Sequence, residues 1–166
     1  MRPARLAVQA RTVFASGVLA WALALVTIAS GQATPVVFPD GDGKAEFLES
    51  CGGCHDLAAS VVKRHTIKEW DDVMTAMKAK GISTPDDDLK QIAVYLSRHF
   101  GLVNVNKASA EELKRVLGIT ANNADAIVTH RDNHGAFNSL DDLKAVPGID
   151  AEAIEKEKAS IVFGGA

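Results

Sequence analysis

The chain is poor in cysteine: it has two, and both lie in the stretch FLESCGGCHDL, residues 47–57. Two cysteines cannot complete a structural zinc site without two further ligands at regular spacing, and the pair His130 and His134 lies far along the chain. A redox dithiol is expected in a βαβ context, whereas the sequence that flanks these cysteines is helical and charged. Zinc sites and redox dithiols are therefore both disfavoured.

A third use of the two thiols fits the residue that follows them. Cys51 and Cys54 are followed at once by His55, and Cys-x-x-Cys-His is the attachment motif of a c-type haem. In that chemistry each thiol forms a thioether at the porphyrin edge and the histidine ligates the iron. The motif predicts one covalently bound haem c per chain, with His55 as the proximal ligand.

The second axial ligand of such a haem has to come from elsewhere in the chain. Met77 shares a helical stripe with Trp70, and a thioether sulfur is a neutral ligand that stabilises ferrous haem. We expect Met77 to be the distal ligand, with Met74 on the same stripe, His65 and His99 as alternatives. A vacant sixth position would instead suggest gas binding or peroxidase chemistry.

The N-terminus has the pattern of an export signal. Three arginines, Arg2, Arg5 and Arg11, precede an uncharged apolar run over residues 13–29, and small residues follow. We expect residues 1–33 to be a signal peptide; a retained membrane anchor is the alternative, because the run reaches the lower limit of a bilayer span. Either outcome places the rest of the chain in the periplasm or outside the cell.

The chain also lacks an excess of positive charge. It has 18 basic and 21 acidic residues, a net charge of −3, and without the three leader arginines 15 basic residues face the same 21 acids, a net charge of −6. An acidic chain suits a protein partner with a basic docking face, such as a dehydrogenase, an oxidase or another cytochrome, and disfavours a polyanion. No acid–base pair or activated nucleophile is recognisable. We therefore expect an electron carrier and not an enzyme.

The first of two predicted all-α domains covers residues 40–100. A capping-box pattern at Thr66 and Glu69 starts one helix, and Thr84 with Pro85 starts another. With its segments CGGCHDL, EWDDVMTAMKAKG and DDDLKQIAVYLSRHFG, this region resembles the small monohaem cytochrome c domains associated with quinoprotein and quinohaemoprotein dehydrogenases. The resemblance implies a class I type cytochrome c fold and periplasmic electron transfer.

The second predicted domain, residues 101–166, contains one pattern twice. SAEELKRVLGITANNADAIVTHR and SLDDLKAVPGIDAEAIEKEKASI each predict a helix, a glycine-containing hairpin and a second helix. The series N-x-N-x-A, E-L, R, G-x-F and D-L over residues 104–143 resembles the tandem helix-hairpin-helix module of competence-type DNA-uptake proteins. In that family, a G-I-G hairpin offers its backbone amides to a DNA phosphate.

Two substitutions set these hairpins apart from the family pattern. Thr120 and Asp150 stand where the second glycine would be, and both are good N-caps that would occupy the amides themselves. Residues 101–166 also carry seven basic and ten acidic side chains, whereas non-specific DNA binding depends on lysine and arginine. We therefore expect the module to dock a protein. A haem-bearing DNA-binding, DNA-uptake or haem-sensing module is the alternative, and its basic spot would be His130, Arg131 and His134.

Overall fold

The computed structural model describes residues 36–164, which belong to one compact unit. The predicted leader, residues 1–33, lies outside the described residues. The helices are α1 (Lys44–Cys51), α2 (Leu57–Ser60), α3 (Ile67–Ala79), α4 (Asp86–Phe100), α5 (Ala110–Leu117), α6 (Ala121–His134), α7 (Leu140–Lys144) and α8 (Ala151–Lys156). The strands are β1 (His65–Thr66), β2 (Gly101–Asn104) and β3 (Ile161–Val162). Over residues 36–164, no helix has both the length and the apolar character that crossing a bilayer requires.

The predicted helical architecture is confirmed, and a small parallel sheet is added to it. β2 lies between β1 and β3, with His65 opposite Gly101 and Val103 opposite Ile161. The outer strands have two residues each and the central strand has four. Strands this short show no recognisable alternation in the sequence, which is why the all-α prediction did not include them.

Local capping signals fix most of the helix starts. Capping boxes form at Thr66, Ser109 and Ser139. In each, the hydroxyl accepts a hydrogen bond from the amide of the third helical residue, and the acidic side chain of that third residue accepts one from the backbone amide of the N-cap residue. α4 departs from the sequence-based expectation, because Pro85 and not Thr84 occupies the N-cap position and no side chain caps the helix. Three aspartates in its first turn lie at the positive end of the helix dipole instead.

Two clusters of buried apolar side chains lie on either side of residue 101. In the first, α4 packs against both α1 and α3, and the indole nitrogen of Trp70 donates to the Phe100 carbonyl at 3.3 Å. The second cluster joins the two helical hairpins around Phe137, as their duplicated sequence predicts. Its buried members are Val103, Val105, Ala108, Leu113, Val116, Leu117, Ile119, Ala124, Ile127, Phe137, Leu143, Val146, Ile154 and Ile161.

Side chains make direct contacts between the two clusters. Nη1 of Arg64 donates to the carbonyls of His99 and Gly101 and to the Ser160 hydroxyl, at 3.2, 3.4 and 3.1 Å. Ile67 at the start of α3 packs against the second cluster. A division into separate domains at residues 100 and 101 stays a prediction.

Candidate nucleic-acid interface

The two cysteines lie at the C-terminal end of α1. Cys51 is half-buried, and the amides of Cys54 and His55 in the exposed turn that follows both donate to its carbonyl, at 3.3 and 3.2 Å. Burial, with a smaller effect of Cys54, raises the pKa of the Cys51 thiol. Cys54 lines an open groove of about 640 Å³ beside residues 80–85.

The residues predicted to ligate iron from the other side are not gathered at this turn. Met77 lies half-buried on α3 and is not among the residues described as lining the groove beside Cys54. Met74 is buried in the first apolar cluster. The rings of His65 and His99 pack against Trp70 and Tyr95, with centroids 4.7 and 4.8 Å apart. The roles assigned to Cys51, Cys54, His55 and Met77 stay predictions.

Two polar residues of the helix-hairpin-helix sequence pattern, Asn106 and Arg131, hold the C-terminal half together through hydrogen bonds to backbone groups. The Asn106 amide nitrogen donates to the carbonyls of Phe137 and Phe163 at 2.8 and 2.7 Å, and its oxygen accepts from the Phe137 amide at 2.8 Å. Arg131, only 17 % exposed, donates to the carbonyls of Val105 and Ala108 at 3.1 and 2.8 Å. Arg131 is therefore an internal clamp, and the predicted basic spot loses its only arginine.

Hairpin 1, residues 118–120, joins α5 to α6. Gly118 ends α5 in the left-handed region with φ 62°, and its amide donates to the Lys114 carbonyl at 2.9 Å. The Thr120 hydroxyl accepts from the Asn123 amide at 3.2 Å. The amides of Ala121 and Asn122 make no hydrogen bond to any described residue, as expected for the first turn of a helix.

An arginine from the N-terminal half supports hairpin 1 from behind. Nη1 of Arg98 donates to the Val116 carbonyl at 3.1 Å, and Nη2 pairs with Glu157 at 2.9 Å. A Cβ atom at Gly118 would lie 2.6 Å from Cζ of Arg98, so only glycine allows this approach. Sequence analysis missed Arg98, because the 20 positions that separate it from Gly118 carry no local pattern.

Hairpin 2, residues 148–150, joins α7 to α8 and has different chemistry. Gly148 is also left-handed, with φ 81°, but nothing lies within 4 Å of the position that its Cβ would take. The Asp150 carboxylate accepts from the amides of Glu152 and Ala153 at 3.1 and 3.0 Å. The predicted N-cap roles of Thr120 and Asp150 are thus confirmed, but the threonine covers one amide and the aspartate covers two.

The two hairpins also differ in local charge. Residues 114–124 include Lys114 and Arg115 and no acid, whereas the equivalent residues 144–154 around hairpin 2 hold Lys144 against Asp150 and Glu152. Lys144 is occupied by Asp141 and Glu155, at 3.0 and 3.1 Å. Arg115 forms no ion pair within the described part of the chain. The immediate surroundings of hairpin 1 therefore carry more positive charge than those of hairpin 2.

Comparison with known proteins places the family-model match in this half of the chain, and one relative aligns over a longer stretch. Residues 99–162 match the model of the helix-hairpin-helix motif. The chain is 40 % identical over 122 residues to ComE operon protein 1 of Bacillus subtilis, covering 73 % of this chain and 60 % of the relative. It is 40 % identical over 62 residues to an uncharacterized protein of Haemophilus influenzae, covering 37 % of this chain and 55 % of the relative.

A third relative shares a shorter stretch. The human endonuclease/exonuclease/phosphatase family domain-containing protein 1 is 37 % identical over 59 residues, which is 10 % of its length. The chain thus spans less than two thirds of the length of these relatives. No solved structure matches it.

These findings correct the main functional prediction. Electron transfer, the haem c cofactor and a redox protein partner are wrong, because the family model and the ComE relative support the DNA-binding and DNA-uptake alternative. Residues 36–164 also contain no group of three or more His, Cys, Asp or Glu side chains that could hold a metal ion.

The expectation of a protein-docking module in place of a DNA-binding one is wrong for a different reason. It used the net charge of the whole module, whereas most of its carboxylates pair with lysines or cap helices away from hairpin 1. In sequence and in fold, residues 99–162 are a helix-hairpin-helix module.

Proposed function

We propose that this protein is exported to the periplasm and there binds DNA without catalysing a reaction, with hairpin 1 as its main contact to the backbone. The single observation that carries the proposal is the pair of unoccupied amides of Ala121 and Asn122 at the start of a 14-residue helix, beside a glycine turn. Helix N-terminal amides and the helix dipole together favour a phosphate. The export signal predicted in residues 1–33 and the ComE relative support the compartment.

The turn at hairpin 1 lets a DNA backbone come close. Gly118 is exposed, and the position that its Cβ would take is occupied by the Arg98 guanidinium. Thr120 is neutral, so its cap on Asn123 does not repel an incoming phosphate. A phosphate oxygen at this place can accept from both remaining amides.

Cations next to the hairpin add the sequence-independent part of DNA affinity. Lys114 and Arg115 lie in the last turn of α5, and Arg98 lies behind Gly118. Lys114 pairs with Glu111 and Arg98 pairs with Glu157, so Arg115 is the cation with the fewest competing partners among these three. Each phosphate that such a side chain neutralises releases counterions, so binding by this surface has to weaken as salt rises.

Fluorescence anisotropy of the full chain with labelled duplex DNA tests the proposal. We expect saturable binding at low salt, with log Kd linear in log salt concentration and a slope that corresponds to a few phosphate contacts. A duplex of unrelated sequence should bind equally well, because the contacts at hairpin 1 are to the backbone.

The contradictory result is the absence of saturable binding at low salt, or binding that does not respond to salt. Either result would remove the backbone contact from which the function is inferred. An intact far-ultraviolet circular dichroism spectrum and a cooperative thermal transition of the same sample provide the folding control.

A further inference from the structure

Three aromatic rings, two on α6 and one in the loop after it, form a stack that phosphate binding does not use. The ring centroids of His134 and His130 lie 4.4 Å apart with planes inclined by 21°, and those of His130 and Phe137 lie 5.4 Å apart with planes inclined by 17°. Phe137 is 3 % exposed and anchors the stack in the second apolar cluster. His134 is exposed and is the solvent end of the stack.

The same face of α6 lines a groove of about 460 Å³, and Val146 and Pro147 form its opposite wall. That volume is in the range of small-molecule sites. His130 lines the groove, and its Nδ1 is buried without a hydrogen-bond partner among the described residues. Polar side chains follow one another along the helix face at spacings of three and four residues: Asn122, Asp125, Thr129 and Asn133.

The charge of this groove decides which part of a nucleic acid fits it. Asp125 forms no ion pair with a described residue, and its carboxylate repels a phosphate. A carboxylate accepts hydrogen bonds from the amino and imino groups of a base, while the amides of Asn122 and Asn133 can both donate and accept. An aromatic ring next to such groups offers a stacking surface to any base. The edge and face of a base suit the groove, and the DNA backbone does not.

We propose that this groove binds an unpaired base of a DNA strand, stacked on His134, while the backbone of the same strand is held at hairpin 1. This inference rests on the proposed function. His134 lies 12 residues after Asn122, about 18 Å along the helix, so one strand can reach both places within a few nucleotides. Bases within a duplex are covered by their neighbours, so the groove distinguishes single strands and frayed ends from intact duplex.

The test compares three labelled probes with the full-length protein at one ionic strength: a duplex, a mixed-sequence single strand, and the same strand with abasic sites. The abasic strand keeps every phosphate and loses only the bases. We expect it to bind about fivefold more weakly than the normal strand, the effect of losing roughly one stacked base.

Three variants, one of them a control, test whether the preference for the normal strand over the abasic strand comes from the His134 ring. His134→Ala should weaken binding of the normal strand to the level of the abasic strand and leave duplex binding unchanged. His134→Trp keeps a stacking surface without the imidazole and should restore the preference. Gln91→Ala, on the exposed side of α4, is the matched control and should change none of the three affinities.

Equal affinity for the normal and abasic strands, with duplex binding intact, would overturn the base-binding groove and leave the proposed function standing. So would a His134→Ala variant that weakens all three probes alike, since that would be a general loss of contact. If neither duplex nor single strand binds, the proposed function itself fails.

Discussion

Hairpin 1 and hairpin 2 share a sequence pattern and a left-handed glycine, but they differ in three physical properties. The cap is neutral in hairpin 1 and charged in hairpin 2, the local charge is positive in hairpin 1 and negative in hairpin 2, and only Gly118 is packed against an arginine. The helix that follows has 14 residues in the first copy and six in the second.

The comparison teaches that a duplicated fold need not duplicate a binding site. The two copies bury one shared apolar cluster, and each copy is needed for that cluster. Their outer surfaces are free to diverge, because a cap residue such as Thr120 or Asp150 stabilises its helix in either chemical form. Fold alone therefore does not say which copy binds a phosphate.

The largest expected effect is a difference in stability between variants of the two hairpin glycines, Gly118 and Gly148, which have different neighbours. Gly118→Ala forces a residue with a side chain into φ 62° and displaces the Arg98 guanidinium from its bonds to Val116 and Glu157, so we expect it to lower the free energy of unfolding by about 2 kcal/mol. Gly148→Ala has open space and only the backbone strain, about 1 kcal/mol. Urea denaturation of both variants measures the difference. Equal losses would mean that Arg98 does not support hairpin 1.

Replacing Thr120 by aspartate should give hairpin 1 the charged N-cap of hairpin 2. Thr120→Asp keeps an N-cap but directs a carboxylate at the phosphate, and we expect DNA affinity to fall about tenfold, or 1.4 kcal/mol. Thr120→Ser, with a neutral hydroxyl, is the matched control and should bind as the wild type does. Anisotropy titrations at low salt measure both, and full affinity of Thr120→Asp would contradict the assignment to hairpin 1.

The side chain of Arg115 should contribute to DNA affinity only through its positive charge. Arg115→Gln removes one cation next to hairpin 1, so we expect a loss of a few-fold in affinity and a salt slope reduced by about 0.9. Lys156→Gln, on α8 and paired with Glu152, removes the same charge beyond hairpin 2 and serves as the control. Equal changes of slope in both variants would show that DNA contacts are spread over the whole module.

The reverse exchange at hairpin 2 should have a smaller effect. Asp150→Asn keeps a capping side chain and removes one negative charge, so we expect DNA affinity to rise about twofold at low salt and not at all at high salt. The same titrations measure this gain. A gain that exceeds the loss in Thr120→Asp would move the main phosphate contact to hairpin 2.

The smallest effect concerns His99, the residue next to Arg98 on α4. Burial, and then the charge of Arg98, lower the pKa of His99, so its neutral form is favoured in the folded state. A depressed histidine pKa gives a stability that is present above the unfolded value of about 6.5 and is lost as pH falls through the folded value. Thermal unfolding should therefore show a lower melting temperature below pH 6.5, and His99→Gln should reduce that dependence. An unchanged pH dependence in His99→Gln would show that the loss of stability at low pH comes from other groups.

Much of the architecture follows from local signals in the sequence. The capping boxes at Thr66, Ser109 and Ser139, the apolar faces of the helices and the duplicated hairpins are patterns within a few residues of one another. The sheet and the approach of Arg98 to Gly118 depend on residues distant in the chain, and no short pattern encodes them.

At the candidate interface, a net charge summed over the whole module led to the wrong expectation. Net charge over residues 101–166 suggested a module that avoids DNA, although the acids cluster around hairpin 2 and leave hairpin 1 positive. The sequence suggests that Arg131 is a surface cation, but its guanidinium donates to the carbonyls of Val105 and Ala108. The prediction of haem rested on the motif CGGCH, the export signal and a resemblance to small cytochrome c domains, and the cofactor it predicted is wrong.

The most direct measurement is a ¹H–¹⁵N NMR titration of the full chain with duplex DNA at low salt. The account predicts that the amides of Ala121 and Asn122 shift first and most, because they donate to the bound phosphate, while those of Glu152 and Ala153 stay on the Asp150 carboxylate and barely move. Larger shifts at Glu152 and Ala153 than at Ala121 and Asn122 would contradict it.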